Sequence, residues 1–364
     1  MQIESIKDRC CGCGACVQAC PAKCLEMVSD SEGFRYPQLT NPSECLDCNR
    51  CGRVCQLLNP FPEKEPLETY SGFSTNEPVR MQSSSGGLFS ALAEKTIEQG
   101  GVVFGAAFDS CWRAVIDSTE TVDGLSAFRG SKYMQADTGD SYARCAAFLK
   151  QGRQVLYSGV QCQIAGLLHY LGRDYPNLIT VACTCHGTPS PAVWDRYLKE
   201  ISGDRVVTDV NFRDKRNGWR DYSLTVSFTD GSEFSATAMK TPYMIGFIKS
   251  LYERPSCATC PARFGESGAD IVLADFWGVE LFVPGIDSSK GISFVQAGTD
   301  KGKEALEALS DTDLKPASMS DASTYNGGLK KPHPAHEGRT EFFSRLNEEP
   351  SVCALITSIV GDSM

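Results

Sequence analysis

After about residue 70 the apolar and polar positions fall into a strong alternating pattern. Gly86 to Gln99 predicts a helix, with Leu88/Leu92 and Ala93/Ile97 each four apart. The continuous apolar run Val102 to Phe108 predicts a buried strand. Asp140 to Gln151 is helical in pattern, and Val155-Leu156-Tyr157 is another short buried strand. Ile164, Leu167, Leu168 and Leu171 stand at i, i+3, i+4 and i+7, an amphipathic helix, and Leu178 to Ala182 is a further apolar run. Strands alternating with helices predict an α/β domain with a largely parallel sheet. Farther on, Tyr222, Leu224, Val226 and Phe228 alternate with Ser and Thr as in a half-buried strand, and Asp230-Gly231 supplies a hairpin turn. An antiparallel portion is therefore added to the α/β core. Ile271 to Ala274 predicts one more strand.

Before residue 70 the pattern is different. Asn59 to Thr69 (NPFPEKEPLET) is rich in Pro and Glu and lacks periodicity, which predicts a linker. Four segments result: a small module over residues 1–60, a linker over 61–69, the main domain over 70–320 and an extension over 321–364. The extension contains Gly, Pro and His and is weakly patterned, so it is expected to wrap the domain or stay partly mobile.

The small module carries a repeat made of cysteines. Cys10, Cys13 and Cys16 form C-x2-C-x2-C, and Cys20-Pro21 follows; Cys45, Cys48 and Cys51 repeat the spacing, and Cys55 follows. This is the run of a bacterial dicluster ferredoxin, in which three thiolates wrap one [4Fe–4S] cube and the fourth ligates the other cube. Cys10, Cys13, Cys16 and Cys55 are thus assigned to one cluster, and Cys45, Cys48, Cys51 and Cys20 to the other. A zinc ribbon would need pairs of cysteines rather than two triplets each trailed by a fourth. Gly12, Gly14 and Ala15 suit close backbone approach to the sulfurs. Gln56 stands after Cys55 where proline is common in such runs, and Cys11 and Cys24 fall outside the spacing as packing residues.

Charge and composition narrow the class. The chain has 18 cysteines among 364 residues, long enough to bury a core without disulfide staples. The opening MQIESIKDRC lacks the apolar run of a signal peptide, and no stretch approaches the roughly 20 apolar residues of a membrane span. A cytoplasmic, reducing setting is expected, with cysteines as metal ligands. A net charge of −10 argues against a nucleic-acid partner.

Beyond the module, five segments in order resemble one family: SSSGGLFSALAEKTIEQGGVVFGAAFD from Ser83, FRGSKYMQADTGD from Phe128, YSGVQCQIAGLLHYL from Tyr157, CTCHGTPSP from Cys183, and FIKSLYERPSCATCPARFGESGADIVLADFWG from Phe247. Together, over about Tyr70 to Pro316, they resemble the beta subunit of coenzyme F420 hydrogenases and dehydrogenases, a family similar to formate dehydrogenase beta subunits and 7-hydroxymethyl chlorophyll a reductase. The resemblance implies an α+β ferredoxin-like dicluster module followed by an α/β flavin-binding domain, with FAD and a third [4Fe–4S] cluster beside it. Carried over, the third set of ligands is Cys162, Cys185, Cys257 and Cys260. Gln161 stands where the family has proline before Cys162, and Cys183 rivals Cys185, which is preferred because it directly precedes His186-Gly187. Cys111, Cys145, Cys183 and Cys353 join Cys11 and Cys24 as packing residues.

The flavin contacts implied are Ser84, Ser85, Gly86 and Gly87, then Gly130, Ser131, Lys132 and Tyr133, with Gln163 and His186. The first four open a helix, where backbone N–H groups and the dipole can hold a pyrophosphate; an ordinary serine cap with a glycine turn reads equally well from the residues alone. Lys132 can neutralise flavin or phosphate charge, and His186 can orient the ring or relay a proton. Asp275-Phe276-Trp277-Gly278 is a site edge with no catalytic role, and His169, His333 and His336 show no ligand spacing. No nucleophile or acid–base triad is present in the pattern. The expected function is an oxidoreductase passing electrons between a hydride donor (reduced coenzyme F420 or similar), FAD and the clusters, in either direction, to a redox partner protein or small molecule. The alternatives are a ferredoxin-dependent reductase of another substrate and a non-catalytic electron-transfer subunit of a larger complex.

Overall fold

A computed structural model describes residues 2–260, 262–263 and 266–361. Pro261, Phe264 and Gly265, part of the last resembling segment, lie outside them. In the module, strands β1 (Leu25–Ser29) and β2 (Arg35–Leu39) form an antiparallel hairpin. Each cysteine triplet leads into one helical turn, Ala15–Gln18 or Arg50–Arg53. The two cysteine loops repeat in backbone as well as in spacing. Gly12 and Gly14 have φ of 70° and 74°, and the matching Asp47 and Asn49 have φ of 46° and 52°. Glycine takes this left-handed region without penalty, and Asn and Asp are the side chains that tolerate it best.

Residues 60–67 run without regular structure into β3 (Glu68–Ser74). The sheet that follows contains β4 (Val102–Phe108), β5 (Ala114–Thr119), β6 (Val155–Val160) and β7 (Leu178–Cys183). A separate antiparallel sheet holds β8 (Val207–Asp214), β9 (Ser223–Phe228) and β10 (Glu233–Thr237), with Gly231 at φ 80° in the expected turn. The chain then returns to the large sheet as β11 (Ile271–Asp275), β12 (Ser293–Ala297) and β13 (Thr312–Pro316).

The large sheet has the order β13-β3-β12-β11-β7-β6-β4-β5. Strands β11, β7, β6 and β4 are mutually parallel, while β12, β3 and β13 on one side and β5 on the other pair antiparallel. The sheet is thus mixed, parallel only at its centre. Its parallel strands bury both faces. Val102, Phe104, Val155 and Tyr157 pack with helices Ser141–Lys150 and Gln161–Leu171, and with Ala15, Ala19 and Val54 of the module. Val103, Leu156 and Val181 face helix Leu88–Glu98 on the other side. Two-sided burial is why these strands read as continuous apolar runs.

The described part of the C-terminal extension, residues 321–361, packs onto the domain. Helices Arg339–Arg345 and Val352–Val360 bring Phe342, Leu355 and Ile356 into the core of the antiparallel portion, against Trp194, Tyr243 and Tyr252. Ile356 is fully buried. Ile356→Ala is expected to cost about 2–5 kcal/mol, read as a fall in thermal midpoint; an unchanged midpoint would mean the extension adds nothing to this core.

Candidate functional site

All four parallel strands end on the same side, and their C-terminal ends open onto a cavity of about 280 Å³. Gly105 and Ala106 come from β4, Ser158 to Val160 from β6, Cys183 to Thr188 from the end of β7 and beyond, and Leu273 to Asp275 from β11. The C-terminal ends of parallel strands are where open α/β sheets bind ligands. Of the expected flavin contacts, Ser84, Ser85, Gly87, Gly130, Ser131, Lys132, Tyr133, Gln163 and His186 line this cavity.

Gly86 is absent from the wall for a steric reason. A Cβ there would lie 2.4 Å from the Gly72 carbonyl oxygen and 2.9 Å from the Ser293 nitrogen, so this glycine lets the loop pack against two strands. The loop is also tied to its expected partner segment, because the Ser131 N–H donates to Ser84 Oγ at 2.7 Å.

Behind the loop stand three buried cations. Arg213 on β8 donates to the Ser84 carbonyl at 2.8 Å, to Tyr133 Oη at 3.0 Å and to Asp275 at 3.0 Å. Lys215 donates to the carbonyls of Ser85 at 2.8 Å and Arg80 at 2.9 Å, and Arg80 holds the Gly291 carbonyl at 2.9 Å. Trp219 Nε1 adds a bond to the Ser84 carbonyl at 3.1 Å. Among the described residues only Asp275 forms an ion pair with these cations. Burial pushes the Lys215 ammonium down to about 7. With the carbonyls held from behind, trans peptide geometry turns the Ser85 amide N–H the opposite way, the disposition that suits an anion at a helix start.

Several expected contacts have structural duties. Lys132 donates to the carbonyls of Ala127, Arg129 and Gly130 at 2.7, 2.9 and 3.2 Å, folding its own turn, and burial pushes it down to about 7. Gln163 accepts from the Val160 N–H at 3.0 Å and donates to the Ala136 carbonyl at 3.2 Å, fixing its helix start. His186 lies 3.1 Å from Ser250 Oγ and stacks on His333 with ring centres 4.0 Å apart. Burial pushes its pKa down to about 3, so the ring is neutral at pH 7. His169, outside the site, joins the Ala165 and Asn59 carbonyls and so pins the segment before β3.

The cysteines form three groups. Cys10, Cys13, Cys16 and Cys55 line one space, with Cys11 beside them. Cys20, Cys45, Cys48 and Cys51 line a second, with Cys24 Sγ 3.4 Å from Cys20 Sγ. Cys162, Cys185, Cys257 and Cys260 line a third, together with Gln161 and again Cys11. Cys183 is not in that wall; it faces the large cavity instead. Thr188 donates to Cys257 Sγ from its N–H at 3.4 Å and lies 3.5 Å from it through its hydroxyl. Burial pushes the Cys257 thiol up to about 11 and Cys185 well above the usual thiol range, so binding metal there would release protons. Among the described residues no group of three or more His, Cys, Asp and Glu converges as single-ion ligands would. Each set of four cysteines lines one space.

The four cysteines of the first group are half-buried between module and main domain, with Cys11 buried beside them, whereas in the second group Cys48 is exposed on a largely exposed loop over residues 41–50. Arg254 seals the first junction, donating to the Cys10 carbonyl at 2.6 Å, to Gln135 Oε1 at 2.9 Å and to the Arg35 carbonyl at 3.0 Å. Gly33 at the hairpin turn has φ 87°, and a Cβ there would meet Ala192 Cβ at 2.5 Å. Arg213, Arg254 and Gln56 escape sequence reasoning because their partners lie far along the chain.

Residues 152–321 match the family described as the C terminus of the coenzyme F420 hydrogenase/dehydrogenase beta subunit, and residues 9–57 match the 4Fe-4S dicluster domain. A match to the dicluster domain is thus followed, in the same chain, by a match to the F420 hydrogenase/dehydrogenase beta-subunit family. One subunit of the F420H2 dehydrogenase of Methanosarcina mazei is 25% identical over 166 residues, 43% of this chain and 46% of that protein. The match thus spans less than half of that relative. A chain of the F420-reducing [NiFe] hydrogenase complex from Methanosarcina barkeri superposes with a TM-score of 0.51 at 18% identity, covering 79% of this chain and 95% of that one, a likeness of fold. Cys162, Cys185, Cys257 and Cys260 all fall inside the residues matched to the beta-subunit model, as do Arg213 and Asp275.

Proposed function

We propose that this chain is an iron–sulfur flavoprotein oxidoreductase that moves electrons between a hydride donor and a partner by way of FAD, a [4Fe–4S] cluster on Cys162, Cys185, Cys257 and Cys260, and the two clusters of the dicluster domain. One observation carries the reading: the large cavity and the third cysteine group share a wall made of Cys11, Val160, Cys162, Cys185, Gly187 and Thr188. A cofactor in that cavity would touch the residues that hold the cluster.

FAD, when bound, supplies the exchange between two-electron and one-electron chemistry. The chain's own residues do the rest. The Ser84-Ser85 segment, backed by Arg213, Lys215 and Arg80, offers a positive, preorganised seat for phosphate. Phe89, Phe128 and Phe247 supply apolar wall to the cavity. Cys48 of the second group, exposed on its loop, suits exchange with a protein partner. All 18 cysteines are free, which suits a reducing compartment, and among the described residues no helix is long and apolar enough to cross a membrane.

The test is anaerobic purification with iron and flavin quantified, followed by mixing with reduced F420 and, separately, NADH while flavin absorbance is recorded. About 12 irons and one FAD are expected, with fast bleaching by reduced F420. About eight irons would remove the third cluster from the reading. Full cofactors with bleaching by neither donor would favour a ferredoxin-fed reductase or a relay subunit.

A further inference from the structure

Cys11 belongs to no ligand motif, yet it lines the first cysteine group, the third group and the large cavity. It is buried, and it shares one space with Cys13 of the first group and another with Cys162 of the third. Gln56 holds this junction from the module side. Its Nε2 donates to Cys11 Sγ at 3.3 Å and to the Cys162 carbonyl at 2.7 Å. The Gln56 side chain is 3% exposed, and its Oε1 has no hydrogen-bond partner. A buried amide left half satisfied is costly, so its place between two ligand loops calls for a reason. Proline at this position, as ferredoxin runs usually have, could donate no such bond.

The third site has four thiols without Cys11, and so does the first. Cys11 is therefore a spacer between two complete ligand sets, and a sulfur spacer is soft and polarisable. A side chain packed against ligand loops also tunes the potential of the cluster beside it.

We propose that Cys11, oriented by Gln56, is the contact through which the first N-terminal cluster and the C-terminal cluster exchange electrons; this rests on the three-cluster reading above. In the step one cluster is oxidised by one electron and the other is reduced by one. No bond forms or breaks, and the Cys11 proton stays on its sulfur.

The experiment uses the full chain as Cys11→Ala and as Cys11→Ser, which is close in volume and guards against a folding defect. Bound flavin is photoreduced with EDTA as the electron source, and arrival of electrons at the N-terminal clusters is followed by absorbance and by electron paramagnetic resonance on frozen samples. The midpoint potential of each cluster is titrated in parallel. Cys11→Ala is expected to keep about 12 irons and to deliver electrons about 10–100-fold more slowly, the size of effect that removing an outer partner of a metal ligand has. Cys11→Ser should fall between it and the unmodified protein. The potentials of the first and C-terminal clusters should shift while that of the Cys45 group stays. Unchanged rate and potentials in both variants would reduce Cys11 to space filling. Loss of about four irons in Cys11→Ala would make it a ligand and overturn the proposal. About eight irons in the unmodified protein would overturn the three-cluster reading itself, and the coupling with it.

Discussion

Cys257→Ala is expected to strip about four of roughly twelve irons from the protein while leaving the two N-terminal clusters full. Cys257 shares its space with Cys162, Cys185 and Cys260, and its sulfur already receives a hydrogen bond from the Thr188 N–H. Such preset bonds orient a ligand before metal arrives. Alanine removes one corner of the cube, and burial pushes the remaining Cys185 thiol well above its usual range, against ligation by an incomplete set. Cys183→Ala is the control: it lies outside this wall and faces the large cavity, so its iron content should stay near twelve. Iron and sulfide analysis of both variants decides the matter. Full iron in Cys257→Ala would return Cys257 to packing, and loss in Cys183→Ala instead would exchange the two rival ligands.

Arg213→Ala is expected to abolish flavin retention while sparing the iron. The guanidinium is almost wholly buried, pairs with Asp275 and ties the Ser84 carbonyl to β8. Removing one partner of a buried pair costs about 3–5 kcal/mol because the other charge is left unpaired. If about 3 kcal/mol of that is expressed in cofactor binding, affinity falls roughly 100-fold. Flavin released on gel filtration at micromolar protein reads this directly. Arg213→Lys keeps the charge but not the forked reach to Tyr133, Ser84 and Asp275, so it should recover only part of the binding. Unmodified flavin affinity in Arg213→Ala would sink the idea that this cation backs the phosphate seat.

What could be read in advance was local. The cysteine triplets are spaced within one loop each, and β4, β6 and β7 announce themselves because both faces of each are buried. The antiparallel half of the large sheet escaped notice because β3, Glu68–Ser74, mixes polar and apolar residues without strict alternation. The helices of the extension escaped notice because its core residues, Phe342, Leu355 and Ile356, are split between two short segments. The polar side chains that build the site were illegible for a different reason. Gln56 meets Cys162 across 106 residues and Arg254 meets Cys10 across 244, and nothing in the local pattern marks an Arg or Gln as buried. The departure at Gln56 was visible in the sequence, but its purpose lay in the partner.

The contrast between the half-buried first cysteine group, closed over by the main domain, and the exposed Cys48 loop of the second constrains how such a protein is made. Arg254 and the closely fitted Gly33 turn lock the module onto the main domain over the first group. A cluster on Cys10, Cys13, Cys16 and Cys55 would meet that seam on its way in, so this inner site would be filled before the two parts close on each other. The loop around Cys48 faces solvent and can be filled afterwards. Biogenesis would therefore run from the inside outwards, with the outermost cluster installed last and exchanged most readily during the life of the protein.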